Sequence, residues 1–231
     1  MTNLNWERYG RATGIVFVVL FIVSYVIYGT PPKVGASTAD ITSFYVGDRG
    51  KVLTAMVLFG LAVVFLLWFA AAIASALRDA GKAGWGSAAI AAGTALSTVF
   101  FVLIALNAGL AYSIAGNGDE GVISALSDMC WIIGVTVSFP AALLIGATSL
   151  GLSGTRLVPT WFSQIGVLAA ILVLLGGTTW ATSGFWAVDG AYSQWITPIA
   201  AMAWIVLTSG FLYVRSPATA TAPERAAIPT H

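Results

Sequence analysis

Asp128 stands one turn before the charge-free core of a long apolar stretch and is followed by Cys130 and Trp131. A carboxyl taken out of water beside an aromatic ring holds its proton to higher pH and can act as an acid. Depth argues against that role. Counting about 20 residues outward from Leu150, one membrane thickness of helix, reaches Trp131 or Cys130, so Asp128 should meet headgroups or water. The same count from Ser87 puts Asn107 at the outer edge, where it either bonds a neighbouring helix or faces a ligand. Tyr25, Thr179 and Trp180 join Asn107, Asp128 and Trp131 as candidate ligand contacts, because all fall at one depth once the topology below is fixed.

The residues that are missing constrain the chemistry as strongly. No Asp, Glu, Lys or Arg falls at the middle of any apolar stretch, which disfavours ion-coupled transport and leaves no lysine for a retinal Schiff base. The only histidine is His231, the last residue, so a serine hydrolase has no base and a metal or haem site has no imidazole. Cys130 is the only cysteine, which excludes a disulfide and a CxxC pair within the chain. No cofactor and no metal are expected. A net charge of +1 offers no extended basic surface, so nucleic acid is not an expected partner.

The elements that must position these side chains follow from six runs without any charge: 12–32, 52–77, 83–118, 129–155, 157–188 and 190–214. A hydrocarbon core of about 30 Å needs roughly 20 helical residues, and every run supplies them. The expected fold is therefore all-α, one polytopic membrane bundle of six transmembrane helices at about 12–30, 52–77, 87–115, 122–151, 162–184 and 195–214. Seven basic residues (Arg8, Arg11, Arg78, Lys82, Arg156, Arg215, Arg225) fall on one side and only Lys33, Arg49 and Lys51 on the other, which puts both termini in the cytoplasm. Residues 1–11 form the cytoplasmic N-terminus. A cleaved signal peptide ending at Val34-Gly35-Ala36 is the rival reading, but an apolar segment from Ala12 to Tyr28 is too long for one. Residues 215–231, rich in Ala, Pro and Thr without apolar periodicity, are expected to be a disordered cytoplasmic tail.

Within this frame, Ser37 and Asp40 form a capping-box-like start for a short amphipathic helix in the first outer loop, held by Phe44 and Tyr45 at headgroup depth. Gly134, Ser138, Ala142 and Gly146 line up small residues on one face of helix four, a close-packing surface or a face for self-association. Pro140 should kink that helix and free a carbonyl near Thr136. Most of the nine tryptophans fall at boundaries; Trp68 and Trp204 lie deeper, facing lipid or lining a cavity with Trp131 and Trp180. No internal repeat is found, so inverted-repeat transporter architecture is not expected.

Phe44-Tyr45 with Arg49, then Trp68 and Leu77-Arg78, then Leu157, Pro159, Trp161 and Phe162 make the stretch 12–214 resemble a family of bacterial, actinomycete-type six-helix membrane proteins of unknown function; Gln164-Ile165-Gly166 departs from that family's aromatic-rich run. The resemblance implies a multi-pass protein of the bacterial plasma membrane and carries no activity. Three classes of function remain. The first is a noncatalytic protein holding a lipid or other amphiphile in an outward-facing polar and aromatic pocket, for export or sensing. The second is an accessory subunit, or a homo-oligomer, docking through helix four. The third is an enzyme on a lipophilic substrate, with Asp128 as proton donor and tryptophans stabilising a cation as in membrane-bound terpene cyclases.

Overall fold

A backbone that meets lipid must satisfy its own N–H and C=O groups, and long runs of Ala, Leu, Val and Ile do so as helix. The computed structural model describes residues 6–214, and the expected tail at 215–231 lies outside them. In order, the helices are α1 (Trp6–Tyr28), α2 (Thr38–Gly47), α3 (Arg49–Asp79), α4 (Ala83–Gly109), α5 (Ala115–Asn117), α6 (Glu120–Thr136), α7 (Ser138–Leu152), α8 (Thr160–Gly176) and α9 (Thr197–Val214). Wide π-helical turns at Leu110–Ile114 and Tyr192–Ile196 join α4 to α5 and lead into α9. Among the described residues no strand occurs, only an isolated bridge between Ala181 and Ala187.

Five helical columns are long and apolar enough to cross a membrane: Tyr9–Tyr28, Arg49–Asp79, Ala83–Asn117, Glu120–Leu152 and Tyr192–Val214. The apolar helix Thr160–Gly176 is shorter, at 17 residues. It stops well before residue 184, where the sequence alone would end it. Gly176-Gly177 halts the helix, and Thr178 and Thr179 turn back to cap carbonyls of its last turn, Leu175 at 2.7 Å and Gly176 at 2.8 Å.

The proline effects are local. Pro140 supplies no N–H to the carbonyl four residues earlier, and the column breaks at Val137 between α6 and α7. Pro198 does the same at the start of α9, and the π-helical turn at Tyr192–Ile196 sits directly before it. Such wide turns recur at functional sites.

The columns pack in a closed circuit: α1 against α3, α3 against α4, α4 against α7, α7 against α8, α8 against α9, and α9 back against α1. The end of the bundle that holds Arg11 is filled. Leu66, Phe69, Leu144, Ile145, Phe162 and Leu212 are buried there, and Trp204, 2% exposed, donates to Ser149 Oγ at 3.2 Å. Small residues let the backbones meet. A Cβ at Gly93 would collide with that of Ala70, and one at Gly166 would collide with Ser149 and reach 2.9 Å from Trp204 Nε1.

The small-residue face of helix four is used inside the chain. Ser138 Oγ lies 2.9 Å from a Cβ built on Gly176, and a Cβ on Gly146 would rest 3.6 Å from Ala170, so this face packs on α8. Gly134, beyond the break at Val137, meets nothing within 4 Å.

Candidate functional site

At the opposite end of the bundle the circuit does not close on itself. A cavity of about 560 Å³ lies there, lined by residues of α1, α3, α4, α6, α7, α8 and α9. That volume suits one small organic ligand, for which pockets run about 300–1,000 Å³. Its floor is apolar: Phe17, Phe59, Phe100, Leu144, Ile145 and Val173. Phe21, Phe59 and Phe100 meet edge to face or tilted, with ring centroids 5.0–6.5 Å apart.

Polar groups gather at the cavity's other end around Asn107, which is 4% exposed. Its Oδ1 accepts from Tyr28 Oη at 2.6 Å and from Tyr45 Oη at 2.9 Å, and its Nδ2 donates to Leu103 O at 2.9 Å. An amide nitrogen carries two hydrogens, so one N–H of Asn107 remains for a ligand. The two phenols also approach each other at 3.3 Å, and Cys130 lies beside Tyr45. Burial, with the neighbouring Cys130 adding to it, raises the Tyr45 phenol well above its ordinary value near 10, so Tyr45 stays a neutral donor across physiological pH.

Tyr45 arrives from α2, whose start follows from its sequence. Ser37 Oγ accepts the Asp40 N–H at 3.2 Å and in turn donates to Asp40 Oδ2 at 2.6 Å. The helix keeps one face exposed, with Ala39, Asp40, Ser43 and Val46, and buries the other. Ile41 and Tyr45 are 0% and 1% exposed, docked into a second core with Val52, Leu110 and Ile123, and Tyr45 points into the bundle. Only half of that arrangement had a signal: Ile41 and Tyr45 are four residues apart, the spacing of a buried face.

A strap of residues 29–37 crosses the cavity mouth. Trp131 Nε1 donates to Pro32 O at 2.9 Å, and Asp128 Oδ1 accepts the Gly35 N–H at 3.0 Å. Gly29 and Gly35 turn the strap with φ of +78° and +72°, values that L side chains avoid. Asp128 is thus a latch on the strap and is not on the cavity lining. Replacing Asp128 by Asn keeps an acceptor for Gly35, so trypsin should cleave after Lys33 at close to the wild-type rate. Trp131→Phe removes a donor, and cleavage there should rise roughly two- to tenfold, the scale of one lost hydrogen bond. Limited proteolysis with mass-spectrometric mapping checks both.

Of the residues singled out by sequence, Tyr25, Asn107, Trp131, Gly134 and Ser138 line the cavity together. Thr179 and Trp180 do not. Thr179 is buried against Gly176 O and Trp180 is half exposed with its N–H on Gly177 O at 2.9 Å, because the chain has already left the helix when it reaches them. Trp68 is half exposed on the bundle exterior, whereas Trp204 belongs to the filled end. Sequence reasoning missed Ser193, Gln194 and Trp195, which the π-helical turn before Pro198 brings to the lining.

The cavity reaches exposed side chains of α1 and α9. At the filled end α1 and α9 are in contact: Arg11 Nη1 approaches Leu212 O at 3.5 Å, and a Cβ at Gly14 would meet Ser209 and Ile205. Toward the other end, Ile22 and Ile199 line the cavity while 48% and 57% exposed. Ile22 lies six residues before Tyr28, about 9 Å along the helix from that end. Comparison with protein-family models, with curated proteins and with solved structures found no match for this chain.

Proposed function

We propose that this chain is a noncatalytic multi-pass protein of the bacterial cytoplasmic membrane that holds a lipid or other amphiphile in the cavity beside Asn107. The single observation that carries the reading is a largely apolar cavity with the Asn107 cluster at one end and exposed lining residues, Ile22 on α1 and Ile199 on α9. Such a shape matches a molecule with a chain and a head. Membrane residence is supported by large apolar side chains exposed around the exterior, among them Val26, Val57, Leu143 and Leu168, a surface that water would not tolerate.

In this proposal the helix Thr160–Gly176 is the sixth span. It is about 26 Å long, short of the hydrocarbon core, and local thinning or the capped turn at Thr178 makes up the difference. Leu168, Ile171 and Leu174 face outward from it as they would toward lipid. The distribution of Lys and Arg then puts both termini inside and the Asn107 end outside, opening toward the outer leaflet. Membership of the actinomycete-type six-helix family is part of the same proposal. Among the described residues no acidic side chain lines the cavity, which favours binding over proton-initiated chemistry at Asp128.

The test is a variant that fills the space. Gly134 lines the cavity with nothing within 4 Å of a Cβ built on it, so Gly134→Trp should fit without displacing backbone and should lower retention of a bound lipophile at least tenfold in native mass spectrometry. Equal retention by wild type and Gly134→Trp would count against the pocket.

A further inference from the structure

Resting on that reading of the cavity, we propose that its ligand is a single-chain amphiphile with an anionic head, recognised by Lys33 at the end that holds Asn107. Among the described residues Lys33 is the one charged side chain on the lining, and no carboxylate among them forms an ion pair with it. The carboxylates that follow it in sequence are engaged, Asp40 by Ser37 Oγ and Asp48 by Lys51, and Asp128, brought near the strap by the fold, accepts from Gly35 N. Asp189, next to the lining residue Val188, is not itself on the lining.

The neutral groups at this end add donors to that charge. Asn107 keeps one N–H, Gln194 spends one of its two on Asp189 O at 2.7 Å, and Tyr25 and Thr30 present hydroxyls. A cationic head would meet the Lys33 ammonium with no carboxylate among the described lining residues. A phosphate or carboxylate, rich in acceptors and poor in donors, fits the set.

The backbone on either side of Lys33 is held, while its side chain is exposed. Lys33 sits in the strap between Pro32, whose carbonyl is held by Trp131, and Gly35, whose N–H is held by Asp128. The chain's place follows from the exposed lining residues of α1 and α9. An acyl or isoprenoid tail can pass between Ile22 and Ile199 from the leaflet while its head stays level with Lys33 and Asn107. The volume of about 560 Å³ suits one such chain.

The experiment uses the full chain in nanodiscs of zwitterionic lipid, with dodecyl phosphate, laurate, dodecanol and dodecyltrimethylammonium titrated by native mass spectrometry. Expected is one equivalent of dodecyl phosphate or laurate binding about fivefold or more tighter than dodecanol, a preference that shrinks in high salt and is lost in Lys33→Gln. Whichever of the two anions binds tighter identifies the head as phosphate or carboxylate. A Lys33→Gln variant that keeps the full anion preference, or a wild type that takes dodecyltrimethylammonium as tightly as dodecyl phosphate, overturns the anionic head. If those results come with binding that Gly134→Trp still abolishes, the cavity stands and only the head is wrong; if Gly134→Trp binds every probe like wild type, the cavity reading itself has failed.

Discussion

Replacing Asn107 by leucine should lower the stability of the folded protein by about 2–4 kcal/mol, because two buried hydroxyls lose their shared acceptor at once. Leucine matches the amide in size, so the loss is of hydrogen bonds rather than volume. Each stranded hydroxyl costs about 1–3 kcal/mol, reduced here because Tyr28 and Tyr45 can still bond each other across 3.3 Å and because side-chain bonds inside membranes average only about 0.6 kcal/mol. Tyr45→Phe removes one donor and leaves Asn107 with Tyr28, so about 1 kcal/mol is expected. The double variant should cost less than the sum of the two by about 0.5 kcal/mol or more, since both remove the same bond. Thermal unfolding in detergent of the four proteins closes this cycle. A strictly additive result would mean that the cluster does not act as a unit.

The second large effect concerns the filled end. Gly166→Ala should destabilise by about 1–3 kcal/mol and Gly166→Leu should prevent folding, because even a methyl there runs into Ser149 and Trp204. Gly93→Ala should behave similarly against Ala70, pushing α3 from α4. Gly146→Ala makes an ordinary contact at 3.6 Å and Gly134→Ala makes none within 4 Å, so both should gain up to about 1 kcal/mol of helix propensity. The order of unfolding temperatures is the readout. If Gly146→Ala were as damaging as Gly166→Ala, the contacts described for α7 and α8 would be wrong.

These glycines show where the sequence was legible and where it was not. Charge-free runs locate the helical columns, since a buried charge is costly in lipid, and Ser37 and Pro140 mark a cap and a break that the chain has. Asn107 was readable as a bond between helices for the same reason: a lone amide in an apolar stretch needs a partner. Spacing within one helix, however, says nothing about what stands opposite. The ladder Gly134 to Gly146 was visible, while Gly93 and Gly166 matter more because of Ala70 and Ser149, residues of other helices.

Direction was the other hidden quantity. Tyr45 looked like a headgroup anchor because aromatic side chains collect at that depth, yet docking of Ile41 on the bundle turns the ring inward to Asn107. Thr179 and Trp180 were placed on a helix that Gly176-Gly177 ends first. The turn that brings Gln194 to the cavity departs from regular helix, and no periodicity announces it.

The central claim, that one chain-bearing molecule occupies the space between α1, α3, α4, α6 and α9, is tested most directly by photolabelling. A dodecyl phosphate carrying a diazirine in mid-chain, added to the protein in nanodiscs and mapped by peptide mass spectrometry, should mark cavity residues such as Phe21, Phe100 and Met202 together, with competition by unlabelled dodecyl phosphate. Labelling confined to outward-facing residues such as Val57, Leu143 and Leu168, and indifferent to competitor, would contradict it.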